Sequence, residues 1–375
     1  MVTRRTVLLG GSAALIAGCG ASSGLPTSEV VGDGFRLKGV TGVTQVAQLT
    51  GPDAINDTAS VLLAGADLGS MFTVGDRTWF LFGDNFGIRP DDAFGGTGEV
   101  WKSNALAWTT DDDPTDGITF DGWVLDDLEQ VKEIIPGLHN PNDGSGEVTK
   151  IPTQGWAIGE DLFVGYMSVK QWGAPGEWWA NHAGLAHSSD GGQNWAAVEG
   201  LEWAGDSGFI QLAQHLVEDD GTQYLYLWGI PAGRFGQVRL MRVPADVEAV
   251  RSADAYEYFA GAEGDTARWS SREADAQVVL DAPCGELSVL WSEHLERWLL
   301  ATMVDNGDAV LFEGLSPWGP WSEPHTITTQ AETPGLYAPY LTPRYVGEDG
   351  RRLYFTFSIW GPYQVFWYSM DLVKD

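Results

Sequence analysis

Two aspartates stand in settings where a carboxyl can do chemistry. Asp67 lies in Gly65-Ala66-Asp67-Leu68-Gly69, and Asp84 in Phe82-Gly83-Asp84-Asn85-Phe86-Gly87. Each sits beside glycine at the end of an apolar stretch, where a strand end can aim a charged group into a cavity instead of bulk water. Two carboxyls flanking a glycosidic bond suffice to break it: one gives a proton to the leaving oxygen, and the other acts as nucleophile or water-activating base. In a chain with 52 acidic residues, pattern alone favours turn capping for each of them. At this level the pair is a candidate.

Other polar groups occur at comparable places. Glu147 opens the run 147–153, Arg234 lies in Gly233-Arg234-Phe235-Gly236, Glu286 follows Gly285, and Tyr337 precedes Ala338-Pro339-Tyr340. On strands lining a channel these four would converge on its mouth and bind sugar hydroxyls, with Glu286 a further acid. Trp172, Trp178, Trp179 and Trp360 are candidate platforms, since a flat indole stacks on a sugar ring, although packing between strands is the commoner use of such residues. The six histidines show no metal-ligand spacing. There is no Gly-x-Ser-x-Gly elbow, His-Glu-x-x-His pair, Cys-x-x-Cys pair or phosphate-cradling glycine loop, which disfavours serine nucleophiles and catalytic zinc. No metal and no cofactor is expected.

The elements that must hold these residues read as strands. Runs at 78–82, 161–166, 223–228, 297–302 and 352–357 each follow a turn and carry aromatic or aliphatic residues almost continuously. Their spacing of roughly 60 to 80 residues, each with a further strand behind it, predicts an all-β fold, a five-bladed β-propeller. The 48 glycines and 18 tryptophans suit aromatic strands joined by tight turns. Ser188-Ser189-Asp190-Gly191-Gly192-Gln193-Asn194-Trp195 matches the Asp-box hairpin, in which the carboxylate accepts from backbone amides, so Asp190 is assigned a structural role. Polar inserts at 111–146 and 246–276 read as long loops crowning one end of the channel.

The amino terminus carries an address. Arg4-Arg5 followed by aliphatic residues resembles a twin-arginine export signal, and Ile16-Ala17-Gly18-Cys19 a lipobox with Cys19 the lipidated residue. The apolar run is about a dozen residues, short of the roughly 20 that span a bilayer. The expected organisation is a signal peptide over 1–18, a lipidated cysteine and flexible tether over 19–39, and a single catalytic propeller over 40–375. The expected location is the outer face of the cell membrane, reached by the twin-arginine route, with the membrane contacted through the lipid. Only Cys284 then remains, so no intramolecular disulfide is available. A formal charge of −31 makes nucleic acid and anionic surfaces poor partners.

The motifs around Asp67, Asp84, Arg234 and Glu286, with Ser358-Ile359-Trp360-Gly361-Pro362-Tyr363, resemble the actinobacterial glycoside hydrolase family of endo-D-arabinanases that was formerly a domain of unknown function. The resemblance covers nearly all of residues 40–372. It implies a five-bladed propeller that cuts α-D-arabinofuranosyl chains of arabinogalactan and lipoarabinomannan internally, with two catalytic aspartates falling on Asp67 and Asp84. Ala66 stands where a hydroxylated residue is expected. The implied partner is arabinan polysaccharide; the rival expectations are a glycosidase for another furanoside and a non-catalytic glycan-binding lipoprotein of the envelope.

Overall fold

The computed structural model describes residues 24–32 and 34–374. The signal segment, Cys19 and the first residues of its tether lie outside them. The described chain folds into five antiparallel sheets arranged as the blades of a propeller.

In chain order, β1 is Leu37–Gln48. Blade one holds β2 (Gly65–Val74), β3 (Arg77–Ile88), β4 (Glu99–Lys102), β5 (Ala105–Thr109) and β6 (Gly122–Trp123). Blade two holds β7 (Thr149–Ile158), β8 (Asp161–Trp172), β9 (Trp178–Ser188) and β10 (Ala196–Ala204). Blade three holds β11 (Gln211–Asp219), β12 (Thr222–Ile230), β13 (Gly236–Pro244), β14 (Glu257–Glu263), β15 (Thr266–Ser270) and β16 (Val278–Cys284). Blade four holds β17 (Ser288–Ser292), β18 (Arg297–Met303), β19 (Ala309–Gly314) and β20 (His325–Thr328). Blade five holds β21 (Leu336–Val346), β22 (Arg352–Ile359) and β23 (Gln364–Lys374). The five runs read from the sequence are the second strands, β3, β8, β12, β18 and β22.

The first strands β2, β7, β11, β17 and β21 touch one another in a ring around the axis. β1 pairs with β23 as the outer strand of blade five, so the beginning of the propeller joins its end. This closure leaves no gap between first and last blades. It is reinforced from blade four, where the buried Glu313 carboxylate accepts from the amides of Arg36 (2.9 Å) and Leu37 (2.7 Å) and pairs with Arg297 at 3.2 Å.

Each blade contributes one fully buried tryptophan: Trp79, Trp156, Trp228, Trp298 and Trp367. Burying a large aromatic side chain stabilises by about 2–3 kcal/mol, so these five anchor the contacts between blades. In the Asp box between β9 and β10, Asp190 Oδ1 accepts from Ser188 Oγ and from the amides of Gln193 and Asn194, and Trp195 Nε1 donates to the Gly192 carbonyl. These bonds hold the Asp190 carboxyl down at about 2.

The first insert is mostly loop, as expected, and the second is not. Residues 111–146 include β6, the outer strand of blade one. Residues 246–276 form a short helical turn and the hairpin β14–β15, which extends blade three. Their outward positions are polar, which hid the strand alternation. No helix among the described residues is long and apolar enough to cross a membrane.

Candidate active site

In a propeller the residues that enter the first strands, and those that connect second to third strands, lie at the same end of the channel. Here both sets line one cavity of about 690 Å³, within the size range of small-molecule and glycan sites. Asp67, Ile151, Gln211, Glu286 and Tyr337 come from or just before the first strands. Asp84, Trp172, Trp178, Arg234, Phe235, Asn306, Trp360 and Tyr363 come from the ends and connections of the second and third. All five blades contribute.

The carboxyl pair owes its position to an irregular ladder. Ala66 pairs with Asn85 and Leu68 with Phe82, so Asp67 alone faces Gly83 and Asp84 together. Such a bulge re-aims side chains at a strand end. Leu68 takes a left-handed φ of 69°, held by its amide donating to Ser358 Oγ at 2.8 Å. A side chain at residue 83 would overlap Asp67 Oδ1, so glycine there is a condition of the approach. Phe235, Ala338 and Tyr363 also have positive φ; left-handed non-glycine residues thus flank Asp67, Arg234 and Tyr337, the kind of local strain that concentrates at functional sites.

Asp84 Oδ1 accepts two hydrogen bonds, from Thr149 Oγ1 at 2.6 Å and Trp101 Nε1 at 2.7 Å. Asp67 Oδ2 accepts from the Tyr337 hydroxyl at 3.0 Å, while its Oδ1 is buried without a partner. Burial dominates both titrations, since a charged carboxylate loses its hydration there. Asp67 is pushed up to about 7, against the opposing hydrogen bonds of Tyr337 and Tyr363, and Asp84 up to about 8, against those of Thr149 and Trp101 and with the charge of Asp67 adding to the rise. Both carboxyls therefore titrate near neutrality, where one can hold its proton while the other is ionised, as a general acid beside a base requires.

Arg234 and Glu286 face each other as a bidentate pair, Nε donating to Oε2 at 2.9 Å and Nη2 to Oε1 at 2.8 Å. The guanidinium also lies 4.9 Å from the Tyr337 ring centre. Both residues line the cavity, but their polar atoms bind each other, and Tyr337 binds Asp67. They support the carboxyl pair as well as facing the space beside it. Trp172 and Trp360 line the cavity as expected, with Trp178; Trp179 does not.

Glu147 corrects the sequence reading. It is buried away from the cavity, with Oε2 accepting from Ser168 Oγ at 2.6 Å and Oε1 from the Leu138 amide at 3.0 Å, and Lys150 Nζ lies 3.3 Å away. It ties the 138–147 loop to β8. Thr149, two residues on, is the member of that run that bonds Asp84, and Ile151, Pro152 and Thr153 line the cavity. Trp101 and Tyr363, whose hydroxyl donates to the Asp84 carbonyl at 3.1 Å, were not singled out. Among the described residues no cluster of three or more His, Cys, Asp or Glu side chains is placed to hold a metal ion.

Residues 53–369 match the family model described as a domain of unknown function, DUF4185. The chain belongs to that family. The chain is similar to Notoamide biosynthesis cluster protein J' of Aspergillus versicolor, 28% identical over 231 residues, which cover 58% of this chain and 60% of that protein. The match thus spans less than two thirds of the relative's length. Among solved structures, the DUF4185 chain is similar to an exo-beta-1,3-galactanase from Phanerochaete chrysosporium (12% identity, TM-score 0.48, covering 87% of this chain and 64% of that one). It is also similar to a family 117 glycoside hydrolase from Zobellia galactanivorans (10%, TM-score 0.46, 91% and 93%).

Proposed function

We propose that the protein is an endo-acting glycoside hydrolase that cleaves α-D-arabinofuranosidic linkages within cell-wall D-arabinan. The observation that carries the reading is the pair Asp67 and Asp84, adjacent across one rung, both pushed toward neutral titration, in an aromatic-walled cavity. Asp84, with the higher proton affinity, protonates the leaving glycosidic oxygen. Asp67, ionised first and steadied by Tyr337, acts as the nucleophile or as the base for the attacking water. Trp172 and Trp360 offer ring faces to sugars on either side of the scissile bond, with the buried Trp178 packed behind Trp172.

The choice of D-arabinan rests on the resemblance of the Asp67, Asp84, Arg234, Glu286 and 358–363 motifs to endo-D-arabinanases. Export by the twin-arginine route and anchoring through lipid on Cys19 belong to the same proposal, and would hold the enzyme beside its polymer. The test is a substrate panel. Protein beginning after Gly24 should release oligosaccharides from arabinogalactan and lipoarabinomannan, and none from L-arabinan, galactofuran or β-1,3-galactan. Release from another polymer in place of D-arabinan would overturn the specificity, and release from none would overturn the activity.

A further inference from the structure

The strongest unexplained surface feature adjoins the cavity. Phe94 is 70% exposed and Trp360, which lines the cavity, is 46% exposed. They stand on two loops, one between β3 and β4 and one between β22 and β23, that interlock. Gly95 lies against the Trp360 indole, with a φ of 69°, and Gly361 lies against the Phe94 ring. The Gly95 amide donates to the Gly361 carbonyl at 3.1 Å. A side chain at Gly95 would enter the indole, so the two loops fit only with glycine at that crossing.

Arg89 fastens the pair. Its Nε donates to the Thr97 carbonyl at 2.9 Å, its Nη2 to the Gly95 carbonyl at 2.7 Å, and its Nη1 to the Pro362 carbonyl. Each of its three nitrogens thus donates to a backbone carbonyl of the two loops. The rim is thereby fixed without a hydrophobic core beneath it, and a rigid exposed aromatic is preorganised for a ligand.

Inward from this rim the aromatic surface is continuous. Trp360 packs 5.7 Å from Tyr363 and 6.4 Å from Tyr337, ring centre to ring centre, and Tyr337 bonds Asp67. Rings therefore run from the carboxyl pair to Trp360, and Phe94 stands beyond it on the loop that Gly95 and Gly361 lock beside Trp360. Leu128 and Leu138 are about as exposed but are aliphatic, whereas Phe94, itself just outside the cavity lining, is an aromatic ring packed against Gly361, next to Trp360.

From this geometry we infer that Phe94 forms, with Trp360, an outer subsite that stacks on a sugar ring of the same polysaccharide chain whose inner bond lies at Asp67 and Asp84. The ligand class is a neutral pentofuranose within a polymer: the ring of Phe94 offers an apolar face, Arg89 behind it is bound to backbone carbonyls, and the exposed Asp91 and Asp92 on the same loop disfavour an anion. A polymer reaches both the cavity and the rim, whereas a single sugar reaches only one. The inference rests on the glycan reading of the cavity and adds to it where the chain continues.

The test separates the two. In the Asp84→Asn background, which removes cleavage, affinity electrophoresis in gels containing arabinogalactan measures binding directly. Adding Phe94→Ala should weaken retention by about five- to tenfold, the loss of one stacked ring face. Phe94→Trp should retain it, Leu128→Ala should leave it unchanged, and equal melting temperatures exclude misfolding. Arg89→Met, which frees the rim, should weaken it as Phe94→Ala does. Binding by the Asp84→Asn parent that is unchanged by Phe94→Ala would overturn the subsite alone. No binding by the parent would overturn the glycan reading, and the subsite with it.

Discussion

Asp67 and Asp84 meet across one irregular rung of the β2–β3 ladder, where a single residue on β2 faces both Gly83 and Asp84 on β3. The site depends on that mismatch, because a regular register would give each aspartate its own partner one step further along. Gly83→Ala tests it. The added methyl overlaps Asp67 Oδ1 and crowds Leu68 Cδ1 at 3.0 Å, so the carboxyl must move. A displacement of about 1 Å costs on the order of 100-fold in rate, and kcat should fall by that much while the protein stays folded, checked by circular dichroism.

The acid and base assignments give a pH profile. Asp67 must be ionised and Asp84 protonated, with titrations at about 7 and about 8. The pair titrates as one coupled system, so kcat/KM should be bell-shaped with its maximum between those values. A maximum at pH 4 to 5, where ordinary carboxyls titrate, would contradict the burial of both groups.

Two substitutions around Asp67 should move the acid limb of that bell in opposite directions. The Tyr337 bond favours the Asp67 carboxylate and the Glu286 charge opposes it. Tyr337→Phe therefore shifts the limb to higher pH, and Glu286→Gln, which leaves the Arg234 cation unbalanced, shifts it lower. A charge-assisted hydrogen bond sets the scale at about one pH unit. Shifts of the same sign in both variants would show that the Arg234–Glu286 pair acts on the fold and not on the carboxyl.

The same burial has a cost in stability. A carboxyl whose affinity for protons is raised in the folded state contributes stability that is complete below about pH 4 and is lost as pH rises through its folded value. For Asp67 and Asp84 that loss falls between pH 4 and about 8. Asp84→Asn should thus raise the melting temperature at pH 8.5 by on the order of 2 °C or more, and should raise it less at pH 4, by differential scanning calorimetry. A difference that is the same at both pH values would sink the raised titration of Asp84.

The sequence made some of this legible for identifiable reasons. The second strands announced themselves because both faces are buried, which leaves aromatic runs such as Tyr224 to Trp228. The Asp box was legible because its bonds are local, from Asp190 to Asn194. Asp67 and Asp84 stood out by their glycines and by family resemblance. What stayed hidden depends on strand pairing and on contacts between blades: Trp101 on β4 reaches Asp84 from the strand paired with β3 and Thr149 on β7 from the neighbouring blade, and neither has a local signature. Glu147 misled because it shares the run of Thr149, but it precedes β7, which begins at Thr149, so the period-2 alternation of a strand does not hold the two to one face, and its carboxylate turns to Ser168 and the Leu138 amide. The hairpin β14–β15 was hidden by its half-exposed, polar composition.

The measurement that tests the central claim most directly is digestion of purified arabinogalactan by the protein beside its Asp67→Asn and Asp84→Asn variants, with products sized by chromatography over time. Internal cleavage by this carboxyl pair predicts a ladder of arabino-oligosaccharides whose average length falls steadily, and its loss by a factor of about 1,000 or more in either variant. A ladder that persists undiminished in both variants would contradict the assignment of catalysis to Asp67 and Asp84.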